Sequence, residues 1–202
     1  TTVSDANGGS SGTVTNTQLS GSGTVVLSGS NQYVDMPTSM ISSLTNATIE
    51  AWVTWTGSTA WQRVFDCGNS SSGVGRSYLF LTASVGSGVG MRTAYTTNGA
   101  SNETSATAAS SLPTGGVHHV AVVVNDAGNA LSLFLDGVQV GNTSFSGHLS
   151  SITYSSCRLG RSLFSVDPYF SGTIHELRVY NAALTPGQLQ TSFNFGPGAT
   201  FF

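Results

Sequence analysis

Nine carboxylic acids are the first candidates for chemistry, because hydrolysis of a glycosidic bond needs two carboxyl groups flanking that bond. No two of them lie two residues apart, the spacing that turns alternating side chains of one strand toward the same cleft. Two acids that are distant in sequence can still meet in space, so the spacing argues against a hydrolase without excluding one. The acids are Asp5, Asp35, Glu50, Asp66, Glu103, Asp126, Asp136, Asp167 and Glu176.

The histidines do not have the spacing of a metal site. His118 and His119 are adjacent within a β-like run, and successive strand residues point to opposite faces. We expect one of the two rings to be packed inside and the other to be partly exposed. A lyase would need tyrosine, arginine and histidine in one cleft, and no spacing brings Tyr95, Arg92 and His148 together.

Several aromatic and charged residues have the chemistry of a sugar-binding site. An aromatic ring packs against the apolar face of a sugar, and a few fixed polar groups form hydrogen bonds with the sugar's hydroxyls. Arginines can fork onto paired oxygens. Asp66 and Arg161 could instead form an ion pair with each other across neighbouring strands and contact no ligand. The predicted ligand-binding residues are Trp61, Arg63, Asp66, Arg161, Asp167 and Tyr169.

The composition excludes some classes of partner. Only 7% of the 202 residues are charged and the net charge is −3, so a basic surface for nucleic acid is not available. No apolar run approaches the ~20 residues that span a bilayer. Cys67 and Cys157 suit a secreted protein if they form a disulfide, and two separate buried thiols are the alternative. We expect a secreted chain, either mature or part of a longer protein.

Short β-like runs separated by glycine, serine and asparagine predict an all-β fold of antiparallel strands. Asp136-Gly137 follows an alternating apolar run, which predicts a tight hairpin turn. Thr185-Pro186 predicts the start of a short helical turn that continues through Gln190. The predicted strands are Thr24 to Leu27, Tyr33 to Met36, Thr48 to Trp55, Arg63 to Cys67, Tyr78 to Thr82, Met91 to Tyr95, His118 to Val124, Leu131 to Leu135, Cys157 to Leu159 and Thr173 to Tyr180.

Eight segments, in order along the chain, resemble the laminin-G-like jelly-roll domains of the concanavalin A-like lectin and glucanase superfamily, which is related to the pentraxins. The resemblance implies one domain over residues 1–202, folded as a two-sheet antiparallel β-sandwich with one sheet often concave. The segments are NQYVDMP at 31–37, ATIEAWVTW at 47–55, WQRVFDCGN at 61–69, YLFLT at 78–82, VHHVAVVV at 117–124, LSLFLDGVQVG at 131–141, CRLGRS at 157–162 and DPYFSGTIHELRVYNAALTPGQL at 167–189.

The resemblance also implies a function and a metal ion. Family members are typically non-catalytic sugar-recognition or adhesion modules, and many hold calcium. Asp5, in a loop that looks like the family's N-terminal loop, is expected to bind a structural calcium ion together with Glu176. The rim from 162 to 167 corresponds to a pentraxin loop that carries calcium and is a second candidate location.

The sequence therefore predicts a non-catalytic carbohydrate-binding module of a secreted protein, with tethering to a catalytic domain as one arrangement. A structural or adhesion domain that binds protein partners is one alternative. A glycoside hydrolase or polysaccharide lyase on the same scaffold is another, although the Glu-x-Asp-x-x-Glu strand of the superfamily's retaining glucanases is absent from this chain.

Overall fold

The computed structural model describes residues 2–4, 9, 11–17, 19, 21–86 and 90–199. Within these ranges the chain forms two β-sheets in which all paired neighbouring strands run antiparallel. In spatial order, the eight-stranded sheet consists of β1 (Thr2–Val3), β2 (Gly12–Thr15), β4 (Tyr33–Asp35), β13 (Ser156–Leu159), β6 (Arg63–Ser71), β7 (Val74–Thr82), β8 (Arg92–Thr96) and β9 (Thr104–Thr107). The six-stranded sheet consists of β12 (Val138–Ser144), β11 (Ala130–Leu135), β10 (His118–Asn125), β5 (Ala47–Trp55), β14 (Ser171–Tyr180) and β3 (Val25–Ser28).

Helices are short and few within the described ranges. They are α1 (Ser39–Ser42), α2 (Pro186–Phe195) and two 3₁₀ turns at Ala100–Asn102 and Leu149–Ser151. None of these helices has the length and apolar composition that crossing a membrane requires.

The two sheets enclose one large apolar core to which both contribute. On β5 the alternating residues Ala47, Ile49, Ala51 and Val53 are all buried in this core, as the two-residue period of a strand requires. All ten predicted strands are present; β6 and β7 are each four residues longer than predicted, and the ends of the others shift by at most two residues. The prediction of an all-β, two-sheet antiparallel sandwich is therefore confirmed.

The six-stranded sheet is also covered on its outer face, by α2. The hydroxyl of Thr185 caps this helix by accepting from the backbone N–H of Gln188, and the Gln188 side chain accepts from the Thr185 N–H. Because of this capping box, the predicted turn extends to a ten-residue helix. Leu189 of this helix is buried against the sheet.

Trp52 lies buried on this outer face and not between the sheets. Its ring centroid lies 4.6 Å from that of His119, and the guanidinium carbon of Arg178 lies 4.3 Å from it. Of the adjacent histidines, His119 is fully buried and His118 is one-fifth exposed. One packed and one partly exposed ring is the arrangement that strand alternation predicts.

The eight-stranded sheet brings the two cysteines together. Cys67 on β6 lies directly opposite Cys157 on β13, and the two sulfur atoms are joined in a disulfide. The bond links neighbouring strands that are separated by 90 residues of sequence.

A loop after β13, residues 160–170, folds back over the outer face of the same sheet. The N–H of Ser165 donates to the Gly73 carbonyl in the β6–β7 turn (2.8 Å), and the N–H of Phe170 donates to the Gly160 carbonyl (3.0 Å). Gly160 has a φ of 79°, a conformation that suits glycine. This loop, called here the 160–170 loop, forms one wall of the site described next.

Candidate functional site

The candidate site is a pocket of about 340 Å³ on the outer face of the eight-stranded sheet. Asp66 on β6 is in register with Phe80 on β7, which is in register with Ala94 on β8. Residues directly opposite each other in a sheet share a face, so these three side chains form the floor. The pocket above them is lined by Trp61, Arg63, Arg92, Ala100, Glu103, Phe164 and Asp167.

Arg63 is the central charge of the pocket, although its side chain is only 2% exposed. Its Nη2 lies 3.0 Å from Oδ2 of Asp167, and its Nε lies 3.4 Å from Oδ2 of Asp66. Nη1 donates to the Trp61 carbonyl at 3.1 Å, and the guanidinium lies over the Phe80 ring at 4.0 Å. A buried charge is stable only when ion pairs and hydrogen bonds compensate for the loss of water. These contacts also hold the guanidinium in one position.

Asp66 lies directly beneath Arg63 and is fully buried. Its Oδ2 accepts from the Leu163 N–H at 3.0 Å, which ties the sheet to the 160–170 loop. Burial raises the pKa of this carboxyl from 3.8 to about 6, against the lowering effect of Arg63. Asp66 therefore positions Arg63 from below and does not reach the pocket surface.

A second arginine–carboxylate pair closes the opposite side of the pocket. Nη2 of Arg92 donates to Oε2 of Glu103, and the Tyr78 hydroxyl donates to Oε1 at 2.6 Å. Burial, reinforced by Glu103, raises the pKa of Tyr78, so this phenol keeps its proton and acts as a donor. Both oxygens of Glu103 are thus engaged by the protein.

The pocket has polar atoms with unused hydrogen-bonding capacity. Nε of Arg63, Nε of Arg92 and Oδ1 of Asp66 are buried and make no hydrogen bond to any residue that the structure describes. Buried polar groups in folded proteins nearly always have partners. Oδ1 of Asp66 and Nε of Arg63, which lies 3.4 Å from Asp66, are beneath the pocket, so Nε of Arg92 is the atom whose hydrogen bonding a water or a ligand can complete.

Two aromatic rings border the pocket. Trp61 has a φ of 64°, a left-handed conformation that is costly for a bulky residue, and its N–H is held by the Ser84 carbonyl at 2.7 Å. Phe164 of the 160–170 loop packs edge-on against Tyr78, with ring centroids 5.6 Å apart. Strained residues are often found at functional sites, and Trp61 stands at the entrance of this one.

The structure divides the six predicted ligand-binding residues among three positions. Trp61, Arg63 and Asp167 line the pocket, and Asp66 lies below it. Arg161 and Tyr169 lie outside the lining and stack on each other, with the guanidinium carbon 4.2 Å from the ring centroid. The ion pair considered between Asp66 and Arg161 is not formed, because Asp66 pairs with Arg63.

Arg92 and Glu103 are site residues that sequence reasoning missed. Arg92 begins β8, and Glu103 precedes β9 in a stretch that reads as a polar surface loop. A charged residue at the start of a strand whose other residues are uncharged was the available signal for Arg92. Nothing local marked Glu103, whose role depends on contacts with β7 and β8.

The lyase arrangement is not present. The Tyr95 ring faces the core, where it packs against Phe145 with ring centroids 4.9 Å apart. Its hydroxyl donates to the backbone carbonyl of His148 at 2.9 Å and not to the imidazole. Arg92, three residues earlier on the same strand, lines the pocket on the opposite face.

Of the two predicted calcium ligands, the structure describes Glu176 alone. Asp5 lies outside the described residues. At Glu176 one oxygen accepts from Nε of Arg178 at 2.6 Å and the other accepts from the Gly198 N–H, so a cation of the protein already occupies this carboxylate. At the second candidate location, Oδ2 of Asp167 is taken by Arg63 and by the Ser162 hydroxyl. Among the described residues no cluster of three or more histidine, cysteine, aspartate or glutamate side chains is arranged to hold a metal ion.

A larger cavity of about 440 Å³ lies between α2 and β14. Tyr180 is its one aromatic lining residue, and none of its described lining side chains is charged. It lacks the two aromatic rings and the two arginine–carboxylate pairs of the smaller pocket.

Similar solved structures share this fold at low sequence identity. Domain 4 of AbnA, a GH43 extracellular arabinanase from Geobacillus stearothermophilus, in complex with arabinotriose, is 22% identical with a TM-score of 0.74; the match covers 94% of this chain and 91% of that one. The CBM40 of Ruminococcus gnavus IT-sialidase, bound to α2,3-sialyllactose, is 18% identical with a TM-score of 0.65, covering 76% of this chain and 85% of that one. A SAP-like pentraxin from Limulus polyphemus is 15% identical with a TM-score of 0.53, covering 73% and 69%.

A comparison with curated proteins gave no significant match. A laminin-G family model, described as concanavalin A-like lectin/glucanases superfamily, matches residues 28–190. The matched region contains the whole pocket and most of both sheets. The chain therefore belongs to the laminin-G-like family of the concanavalin A-like lectin/glucanase superfamily.

Proposed function

We propose that this chain is a non-catalytic carbohydrate-binding module that holds a sugar in the pocket between Trp61 and Phe164. The observation that carries the proposal is the composition of that pocket. Two aromatic rings lie beside two arginine–carboxylate pairs in a cavity of about 340 Å³. This combination suits a sugar ring, which has apolar faces and a polar circumference.

The charged pairs of the pocket are suited to binding hydroxyl groups. Each arginine has donors beyond those used in its ion pair, and Nε of Arg92 is buried without a partner among the described residues. Asp167 retains some exposure, at 15%. Adjacent hydroxyls of one sugar can donate to a carboxylate and accept from an arginine, which fixes the ring against Trp61.

The similar structures support a sugar as the ligand class. The arabinanase domain was solved with arabinotriose and the CBM40 with sialyllactose. Both are parts of larger enzymes, which supports tethering of this chain to a catalytic domain. An extracellular location is supported by the disulfide, since such bonds persist in oxidising compartments, and by a surface in which hydroxyls and amides replace most charges.

Affinity electrophoresis through gels containing arabinan, galactan, β-glucan or a pectin tests the proposal. The expected result is retardation of the wild-type chain by at least one of these polysaccharides, and loss of most of that retardation in Trp61→Ala. Phe195→Ala is the matched control, because Phe195 is 62% exposed and lies on α2 against the other sheet. The absence of retardation across the panel and across a broad glycan array contradicts the proposal.

A glycoside hydrolase is the second candidate, because the pocket contains both Glu103 and Asp167. A general acid must have an oxygen free to donate a proton to the glycosidic bond. Both Glu103 oxygens are occupied, and Oδ2 of Asp167 accepts from Arg63 and Ser162. We expect no new reducing ends when the chain is incubated with a polysaccharide that it binds. If the wild-type chain releases reducing ends and the variants Glu103→Gln and Asp167→Asn do not, the chain is a glycoside hydrolase instead.

A protein-binding or adhesion role would call for a continuous apolar surface. The exposed large apolar residues of the described chain are dispersed. Val26 and Val138 lie on β3 and β12, the opposite edges of the six-stranded sheet, while Val74 lies on the other sheet. This distribution favours the sugar-binding role.

Calcium binding through Asp5 remains a prediction. Its expected effect is a higher unfolding temperature in calcium than in chelator, since a ligand that binds only the folded state stabilises it. Thermal unfolding of the wild-type chain and of Asp5→Asn, each with calcium and with chelator, measures this effect. An equal unfolding temperature of the wild-type chain in both solutions contradicts the prediction.

A further inference from the structure

A second group of aromatic and arginine side chains lies beside the pocket and is not used by it. The guanidinium carbon of Arg158 is 5.3 Å from the Tyr33 ring centroid, the Tyr33 and Tyr169 centroids are 6.4 Å apart, and the guanidinium carbon of Arg161 is 4.2 Å from the Tyr169 centroid. These four residues, called here the tyrosine platform, form a continuous ladder. All four are partly exposed.

The platform and the pocket lie on the same face of the eight-stranded sheet. Asp35 on β4 is in register with Arg158 on β13, and Arg158 is in register with Asp66 on β6, the floor of the pocket. Directly opposite residues share a face, and Tyr33 shares that face with Asp35 because it lies two residues away. One row of side chains thus leads from the platform to the pocket floor.

Asp167 connects the two groups above the sheet. Its carboxylate pairs with Arg63 in the pocket at 3.0 Å. Its backbone carbonyl accepts from Nη1 of Arg161 on the platform at 3.2 Å. A ligand lying along this face would meet Asp167 between Trp61 on one side and Tyr169 on the other.

The rings of the platform are held in place before any ligand arrives. Cation–π contacts fix both tyrosines, Nε of Arg158 donates to Asp35 at 3.0 Å, and the Tyr169 hydroxyl donates to Asn31 Oδ1 at 3.3 Å. Side chains that are already ordered lose little entropy on binding. A preformed tyrosine platform suits a flat, polar ligand such as a sugar chain.

The charges of the combined surface are balanced. Arg63, Arg92, Arg158 and Arg161 supply four positive charges, which four carboxylates match in number. Asp66 and Asp167 both pair with Arg63, Glu103 pairs with Arg92 and Asp35 with Arg158, while Arg161 donates to the Asp167 backbone carbonyl. Such a surface offers donors and acceptors for hydroxyls but has no excess charge to attract an ionic ligand. Its ligand is expected to be neutral.

From these contacts we propose that the tyrosine platform is a second binding subsite, so that the chain holds several consecutive residues of one neutral polysaccharide. This inference rests on the proposed function of the pocket and extends it. One sugar lies against Trp61 and Phe164, and the residues that follow it pass Asp167 and lie along Tyr169 and Tyr33.

Calorimetric titration with neutral oligosaccharides of graded length tests the subsite, using the arabinan, galactan and β-glucan series from monosaccharide to hexasaccharide. The expected result is an affinity that rises with length and then levels off. In Tyr33→Ala and Tyr169→Ala the affinity for the long oligosaccharide falls roughly tenfold, a typical value for removing one well-placed aromatic contact, while affinity for the shortest bound sugar is unchanged. Trp61→Ala weakens binding at every length, and Phe195→Ala at none.

Two outcomes overturn the inference and are distinguishable from each other. If the wild-type chain binds a sugar but its affinity does not depend on length, or Tyr33→Ala and Tyr169→Ala bind the long oligosaccharide like wild type, the platform is not a subsite and the pocket function stands. If the wild-type chain binds no member of any series or of the glycan array, both the pocket function and the platform fail. Tighter binding of oligogalacturonides than of neutral chains of equal length contradicts the assignment to neutral ligands.

Discussion

Arg63 determines the chemistry of the pocket, and the residues around it serve mainly to keep its charge in place. Its guanidinium lies between the carboxylates of Asp66 and Asp167 and over the Phe80 ring. Removing one partner from a buried ion pair costs several kcal/mol because the remaining charge is left unpaired. Arg63 lines the pocket, so the contacts that fix its guanidinium also fix that part of the pocket wall.

Asp66 makes the stability of the fold depend on pH in an unusual direction. The pKa of its carboxyl is about 6 in the folded chain, against an ordinary value of 3.8, so the folded state binds this proton more tightly than the unfolded state does. The contribution of Asp66 to the free energy of unfolding is therefore fully present below the pKa of the unfolded chain. It is lost as the pH rises through the pKa that Asp66 has in the folded chain. A shift of this size corresponds to about 3 kcal/mol.

Urea unfolding of the wild-type chain and of Asp66→Asn between about pH 4 and about pH 7 measures this effect. Asparagine keeps the shape of the side chain and cannot titrate. We expect the free energy of unfolding of wild type, relative to Asp66→Asn, to fall across this range by up to about 3 kcal/mol. A difference that stays constant, or rises with pH, would show that Asp66 is fully ionised in the fold.

At the scale of elements, the site depends on how the 160–170 loop docks on the β6–β7 hairpin. The loop is anchored through Leu163 on Asp66 and through Ser165 on Gly73. Phe164 fits over Gly75, where an added Cβ would lie 2.6 Å from the Phe164 ring. Glycine at this position is therefore needed for the aromatic wall of the pocket.

Gly75→Ala is expected to displace the Phe164 ring and to weaken glycan binding roughly fivefold to tenfold, the value of a lost aromatic contact. The added Cβ would also lie 2.9 Å from the ring of the buried Tyr78, so we expect some loss of stability in addition to the weaker binding. Gly187→Ala is the control, because a Cβ there meets no atom within 4 Å. Calorimetry with the bound oligosaccharide and urea unfolding of both variants measure the two effects. Unchanged affinity in Gly75→Ala would remove Phe164 from the binding site.

The elements themselves were predictable, and the way the loop meets the sheet was not. Alternation of apolar residues marks β5 and a continuous apolar run marks β10. Asp136-Gly137 marks the hairpin, where the two residues have positive φ values of 49° and 77°. These signals are local. The site depends on contacts between segments that are distant in sequence. Strand order brings Arg92 next to Glu103, and the docking of the loop on the sheet places Asp66 beneath Arg63. The periodicity of apolar residues carries no information about either contact.

Burial of Trp52 illustrates the same limit. A tryptophan in the middle of an apolar strand is correctly expected to be buried, but its side of the sheet depends on what covers that side. Here α2 and Arg178 cover the outer face of the six-stranded sheet, so β5 is buried on both faces. The short helical turn expected from Thr185-Pro186 gave no indication of this cover.

At the scale of the whole molecule, the few charges are concentrated on one face. Four of the six arginines belong to the pocket or the tyrosine platform, and four of the nine acids line the pocket, lie beneath it or pair with the platform. The rest of the surface relies on hydroxyls and amides. The distribution of charge therefore identifies the same face as the pocket geometry does.

The Cys67–Cys157 disulfide is expected to contribute substantially to stability. It closes a loop of 90 residues, for which the chain-entropy model gives about 4 to 5 kcal/mol. Urea unfolding with and without reductant is expected to show a loss of this order. A Cys67→Ala/Cys157→Ala double variant should not respond to reductant. Equal stability and equal mass of the wild-type chain in both conditions would contradict the bond.

The most direct test of the central claim is a crystal structure of the chain with an oligosaccharide that it retains in affinity electrophoresis. The account predicts an uncleaved sugar chain on the outer face of the eight-stranded sheet, with one ring against Trp61 and its hydroxyls on Arg63, Arg92 and Asp167. A sugar bound on the other sheet, or a cleaved one lying between Glu103 and Asp167, would contradict it.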